Sequence, residues 1–179
     1  MGETPKPTAF LLTILAIFGR LLPHPPNFTP LTGATLFGGS KLSRPLNYLL
    51  PLGVLFLTDF FLGWHKTMPY VYGSFLLIAV MGEWGLKKSS SLGRVALFSL
   101  ASSVLFFVIT NFGVWQVGGL YPHTLIGLSQ SYIIALPFFR NTILGDLVFS
   151  MGFFVLYQWA ENRVVVARFD KKILNWLVS

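Results

Sequence analysis

Apolar residues in this chain come in long runs, separated by short polar gaps. A helix that crosses a bilayer needs about 20 mostly apolar residues, within a range of about 17–25. Thr8–Leu22, Leu46–Trp64, Tyr70–Leu86 and Gly93–Trp115 meet or approach that length, and Asn141–Ala160 does so before Glu161-Asn162-Arg163. Between the first two lies Phe28–Gly39, bounded by Pro30 and by Ser40-Lys41, too short to cross straight. Leu125–Phe138 is apolar but holds Ser129, Gln130 and Ser131, and Pro137 ends it. It reads as an interfacial or partly inserted helix. Val164–Val178 alternates apolar residues with Arg168, Asp170, Lys171 and Lys172, which predicts an amphipathic helix lying on the cytoplasmic face. The pattern therefore predicts one all-α membrane domain over residues 1–179. It is a six-helix transmembrane bundle with a short second span and an interfacial helix before the sixth.

Composition strengthens the membrane reading. Hydrophobic residues make up 54% of the chain and charged residues 11%, against about a quarter charged in a soluble domain. The first run follows Lys6 like a signal peptide, yet Pro23-His24-Pro25-Pro26-Asn27 follows in place of a small-residue cleavage site. It reads as a retained first helix. The chain has no cysteine, which removes disulfides, iron–sulfur clusters and thiolate metal sites.

Charge decides the topology. With Phe28–Gly39 counted as a crossing, alternate loops hold Lys6, Lys41, Arg44, Lys87, Lys88, Arg94, Arg163, Arg168, Lys171 and Lys172 on one side. Arg20, Lys66 and Arg140 lie on the other. Cationic loops stay inside, so both termini read as cytoplasmic, in a multi-pass bacterial inner-membrane protein. Without that crossing the asymmetry weakens sharply. The net charge of +7 is spread through these gaps rather than along one face, so nucleic acid is not an expected partner.

The same topology gathers His24, His65 and His123 at the outer side, with Asn27, Asn111 and Asn141, and with Asp59 and Asp146 near that level. Ionisable residues inside a membrane are costly and usually face the bundle interior or a wet cavity. Asn27, Asp59, His65, Tyr72, Asn111, Trp115, Arg140 and Asn141 are the candidate substrate-contacting residues. Each has a plainer reading: the arginines snorkel to head groups, and Trp64, Tyr70, Trp115 and Tyr121 form an interfacial belt. Short aspartates snorkel poorly, so Asp59 and Asp146 are expected to pair with cations. The expected partners are Arg140 with Asp59 and Arg20 with Asp146, making Arg20 and Asp146 structural ion-pair residues. Asn141 is expected in the pocket, with Gly145 leaving room beside it. The histidines lack metal-ligand spacing, and no metal site or other cofactor is expected. Ala34-x-x-x-Gly38 on the short span allows close helix approach, either within the chain or against a partner helix. No Gly-x-Ser-x-Gly, His-Glu-x-x-His or Walker loop is present, so an enzyme is not expected.

Several motifs together resemble a known family. They are Asn27-Phe28-Thr29-Pro30 leading to Gly33-Ala34-Thr35-Leu36-Phe37-Gly38-Gly39, Asp59-Phe60-Phe61-Leu62-Gly63-Trp64-His65, Val71-Tyr72-Gly73-Ser74-Phe75, Thr110-Asn111-Phe112-Gly113-Val114-Trp115 and the stretch from Pro137 to Asp146. Over residues 8–160 they resemble an uncharacterised, DUF6580-like family of bacterial membrane proteins described as candidate transport proteins. That family looks in turn like the substrate-binding S components of energy-coupling-factor vitamin transporters. The likeness implies six helices, an outward vitamin pocket, and a small-residue surface, here Ala34 and Gly38, that docks on a coupling subunit served by ATPases. The order of a short second span before an acidic third is similar to the solitary cobalamin-binding S components. Those place a cysteine near the cobalt, which this chain lacks. The expected function is capture of a small water-soluble nutrient, such as a vitamin, from the outer side of the lipid bilayer. The alternatives are a self-sufficient small transporter or channel, and a non-transporting membrane scaffold.

Overall fold

A computed structural model describes the backbone of residues 7–178 and the side chains of residues 8–163 other than Ala16. Among the described residues there are six α-helices and no strand: α1 Pro7–Phe18, α2 Leu31–Lys41, α3 Leu46–Leu62, α4 Met68–Leu86, α5 Leu92–Val117 and α6 Leu125–Val178. A 3-10 turn, Gly19–Leu21, extends α1. Prolines mark the starts: Pro30 and Pro45 sit at the N-caps of α2 and α3, and Pro69 lies in the first turn of α4. Their missing N–H groups fall where a helix has no internal acceptor for them. Gly63, at φ 100°, closes α3 in a conformation that side chains resist.

Successive helices run antiparallel. A Cβ on Gly39 of α2 would strike the Ala79 carbonyl of α4, and one on Gly82 of α4 would strike the Leu36 carbonyl of α2. The two helices interlock backbone against backbone. Gly85 and Gly113 fit likewise under Phe98 and Tyr70 where α4 meets α5. Helix α2 is the axis of the fold. Every residue from Leu31 to Ser40 is buried, and α1, α3, α4, α5 and α6 all touch it.

The helix α2 assigned to partner docking is thus enclosed by its own chain. Ala34 is fully buried, and Gly38 packs against Thr13 of α1 and Pro51 of α3. Their small size admits α2 to the centre, and no outside helix can reach them there. A second correction concerns the last third of the chain. The expected break at Pro137 does not occur, and α6 continues through it. Proline removes one hydrogen bond and crowds the carbonyl four residues back. Ending the helix in apolar surroundings would strand more backbone groups than that. There is accordingly no separate interfacial helix. Leu125–Phe138 packs alongside α5, where the Tyr132 hydroxyl donates to the Val108 carbonyl (2.8 Å) and the Phe107 and Phe139 rings stack at 4.3 Å. The side chains of the expected amphipathic stretch, 164–178, lie outside the described residues.

The interior mixes apolar side chains such as Leu36, Phe37, Ile78 and Phe154 with polar ones, among them Thr13, Thr32, Asn47, Thr58, Asp59, Ser99, Ser102, Ser103, Asp146 and Ser150, while Leu15, Phe60, Phe61, Trp84, Leu97 and Trp159 are exposed. Two helical stretches, Leu92–Val117 and Leu125–Arg163, are long and apolar enough to cross a membrane, and Thr8–Leu21 and Leu46–Leu62 are shorter apolar helices.

Candidate functional site

The two ends of the bundle differ. At one end, Arg44 clasps Glu83 through two hydrogen bonds of 2.8 and 3.1 Å, Asn47 and Tyr48 donate to the same carboxylate, and Lys41 Nζ donates to Ser90 (2.9 Å). The carboxylate beside it raises the Arg44 pKa above its ordinary value, so this guanidinium stays charged. The arrangement ties the α2–α3 turn to the end of α4 and to the loop before α5.

At the opposite end the chain encloses space. A cavity of about 200 Å³ is lined by Arg20, Asn27, Thr32, His65, Phe75, Phe106, Thr142 and Asp146, among others. A second, of about 230 Å³, is lined by Asn27, Phe106, Phe107, Asn111, Phe138 and Thr142, among others. Asn27, Phe106 and Thr142 line both, so the chambers adjoin. Asn27 adopts φ 60° between the 3-10 turn and α2. Asparagine tolerates that left-handed geometry better than most residues.

Beside the first chamber is a charge pair. Arg20 meets Asp59 at 2.9 Å and donates to Thr58 at 2.9 Å, and the Tyr72 hydroxyl donates to Asp59 at 2.8 Å. Asp59 is 2% exposed. Three helix ends meet at this point, and the aspartate's charge is met from two directions. The pairing expected from depth along the helices was different. Arg20 takes Asp59, not Asp146, because α1 and α3 are direct neighbours. Arg140 is exposed and forms no ion pair among the described residues.

Asp146 is the second acid and is also 2% exposed. Ser103 donates to it at 2.7 Å, and Thr32 lines the same cavity. No Lys, Arg or His pairs with it among the described residues. Thr142, Asp146 and Ser150 recur every fourth residue, so one stripe of α6 is polar. Ser150 donates to Ser99 at 3.2 Å deeper along the same seam. Asp146 is thus a cavity wall, not an ion-pair strut.

The candidate residues divide accordingly. Asn27, His65 and Asn111 line the chambers, as does Arg20. Asp59 and Tyr72 stand behind Arg20 and set its position. Trp115 donates to the Pro122 carbonyl (3.1 Å) and its ring lies tilted against His123, bracing the α5–α6 turn away from both chambers. Asn141 donates to the Pro26 carbonyl (3.0 Å), and Gly145 beside it packs against Phe28. The face they share holds the chain's own loop. Sequence reasoning missed Thr32, Ser103, Thr142, Phe75 and Phe106. Hydroxyls in apolar helices commonly bond their own helix, as Ser102 does to the Phe98 carbonyl, so they carry little signal before the fold is known.

The sequence profile of a family of unknown function, DUF6580, matches residues 3–169. No curated protein and no solved structure matches the chain.

Proposed function

The chain belongs to the DUF6580 family, whose function is unknown, and we propose from its own geometry that it is a multi-pass membrane protein capturing a small water-soluble solute. The observation that supports this reading is the paired cavity at one end of a bundle whose outer surface is apolar. Polar groups from α1, α2, α5 and α6 and the loops beside them converge there behind aromatic walls, which suits binding of a compact polar molecule. The cavity end carries Arg20, Lys66 and Arg140, and the opposite end carries the larger share of the cations. The positive-inside rule then faces the cavity outward in a bacterial inner membrane, with both termini cytoplasmic. On this reading α2 is a buried half-span inside the bundle.

Uptake in the manner of an energy-coupling-factor S component remains a form of this proposal, but it needs a docking surface other than Ala34 and Gly38. A self-sufficient transporter is the second reading. It is favoured by the polar seam Asp146–Ser103–Ser99–Ser150, which continues inward from the cavity.

The test is native mass spectrometry of the full chain released from detergent. We expect a small molecule to co-purify and to be lost in Asn27→Ala and Thr142→Val variants that still fold. A chain that is ligand-free and gains no thermal stability from any member of a broad solute panel counts against capture.

A further inference from the structure

Asp146 stands at the wall of the first chamber without an opposite charge. The other charge pair nearby is complete: Arg20 is neutralised by Asp59 at 2.9 Å. An ionised carboxylate taken out of water costs several kcal/mol unless it is paired, and inside a membrane such groups almost always have a partner. Ser103 supplies a hydrogen bond but no charge. Arg20 and His65 line the same chamber, yet Arg20 is paired with Asp59 and neither is paired with Asp146.

The cavity opens to that carboxylate, so the missing charge can come with the occupant. Building on the capture reading above, we infer that the solute is a small organic ammonium ion, whose NH₃⁺ group sits on Asp146. The chemistry of the wall fits such a group. An ammonium carries three donors. One carboxylate oxygen accepts from Ser103, which leaves the other free of that bond, and Thr32 and Thr142 line the same chamber. Phe75 and Phe106, with ring centroids 5.2 Å apart, line the same chamber. Their faces suit a cation or the apolar body that carries it. An anionic solute would meet Asp146 in a low-dielectric site and be repelled. A neutral one would bring no charge to the carboxylate.

The experiment compares tyramine with tyrosol, which share a shape and differ in bearing an ammonium or a hydroxyl group. Isothermal titration and thermal shift are run on the full chain in detergent. We expect tyramine to bind at least about 30-fold more tightly, the low end of what a buried charge pair contributes when one partner is removed. Asp146→Asn should level the two. Should that variant fail to fold, Ser103→Ala is expected to narrow the ratio of tyramine to tyrosol affinity, and a ratio left unchanged overturns the inference. Tyrosol binding as tightly as tyramine overturns the ammonium inference and leaves the capture reading standing. If neither compound binds, the inference falls, and the co-purification test judges capture separately.

Discussion

At the scale of single residues, Arg20 is the hinge of the site's electrostatics. It lines the cavity while its charge is spent on Asp59, and Tyr72 holds the far oxygen of that carboxylate. Removing one member of a buried pair strands the other. Asp59→Asn is therefore expected to lower stability by about 3 kcal/mol. The double variant Arg20→Met/Asp59→Asn should recover much of it, and a thermal-melt cycle over wild type, the two single variants and the double checks the coupling. A loss in the double variant equal to the sum of the two single losses would show that the pair has no mutual dependence. Sequence reading identified both members as membrane-embedded charges in need of partners. It could not decide the pairing, because depth along a helix fixes height but not which helix lies next door. The same limit exchanged two neighbours on α6. Asn141 was expected in the pocket and Asp146 in a tie, whereas Asn141 grips the Pro26 loop and Asp146 lines the cavity. Four-residue spacing shows that Asn141 and Gly145 share a face, and only packing tells which face it is.

At the scale of elements, the contact between α2 and α4 is made by backbone. Gly39 and Gly82 each lie where a methyl group would overlap a carbonyl of the other helix. Gly82→Ala is expected to destabilise by about 1–3 kcal/mol, the usual cost of overpacking. Gly73→Ala, on the same helix with nothing within 4 Å of the new methyl group, is expected to be neutral or to stabilise by about 0.5–1 kcal/mol. Thermal melts of the two variants should thus move in opposite directions, and equal losses would mean that α2 and α4 do not interlock. In α6, Pro137→Ala restores a backbone donor within an unbroken helix. We expect a raised melting temperature with binding unchanged; a lowered one would mean that the proline shapes the cavity rather than merely being tolerated. Helix positions were legible because apolar runs and prolines punctuate the chain. The continuity of α6 was not, since the rule that proline ends a helix holds for helices with water as the alternative partner.

At the scale of the whole molecule, charge segregates by end. Arg44, Lys41 and Lys87 cluster with Glu83 and Ser90 at one end, and Arg20 and the cavity occupy the other. Reporter fusions at both termini should therefore read cytoplasmic, and a fusion in the Gly63–Thr67 loop should read external. An N-terminal fusion reading external would turn the cavity inward and end the capture proposal. The gathering of cations in alternate gaps between the apolar runs was legible from the sequence alone. The central place of α2 was not, because a short stretch holding three glycines, two threonines and a serine reads from sequence as a docking surface as readily as a core. That central place bears on how the chain is made. At 1.5 Å per residue, α2 is about 16 Å long, near half the thickness of a hydrocarbon layer of about 30 Å. A nascent α2 leaving the ribosome has little reason to partition into lipid by itself, and its final neighbours α4, α5 and α6 are synthesised after it. On the multi-pass reading proposed above, biogenesis holds α2 at the bilayer edge, or beside α1 and α3, until α4 arrives with the grooves at Gly82 and Ala79 that receive it. Chains truncated before Met68 should leave α2 accessible to water-soluble thiol reagents through a cysteine introduced at Thr35, and chains extended past Leu86 should protect it.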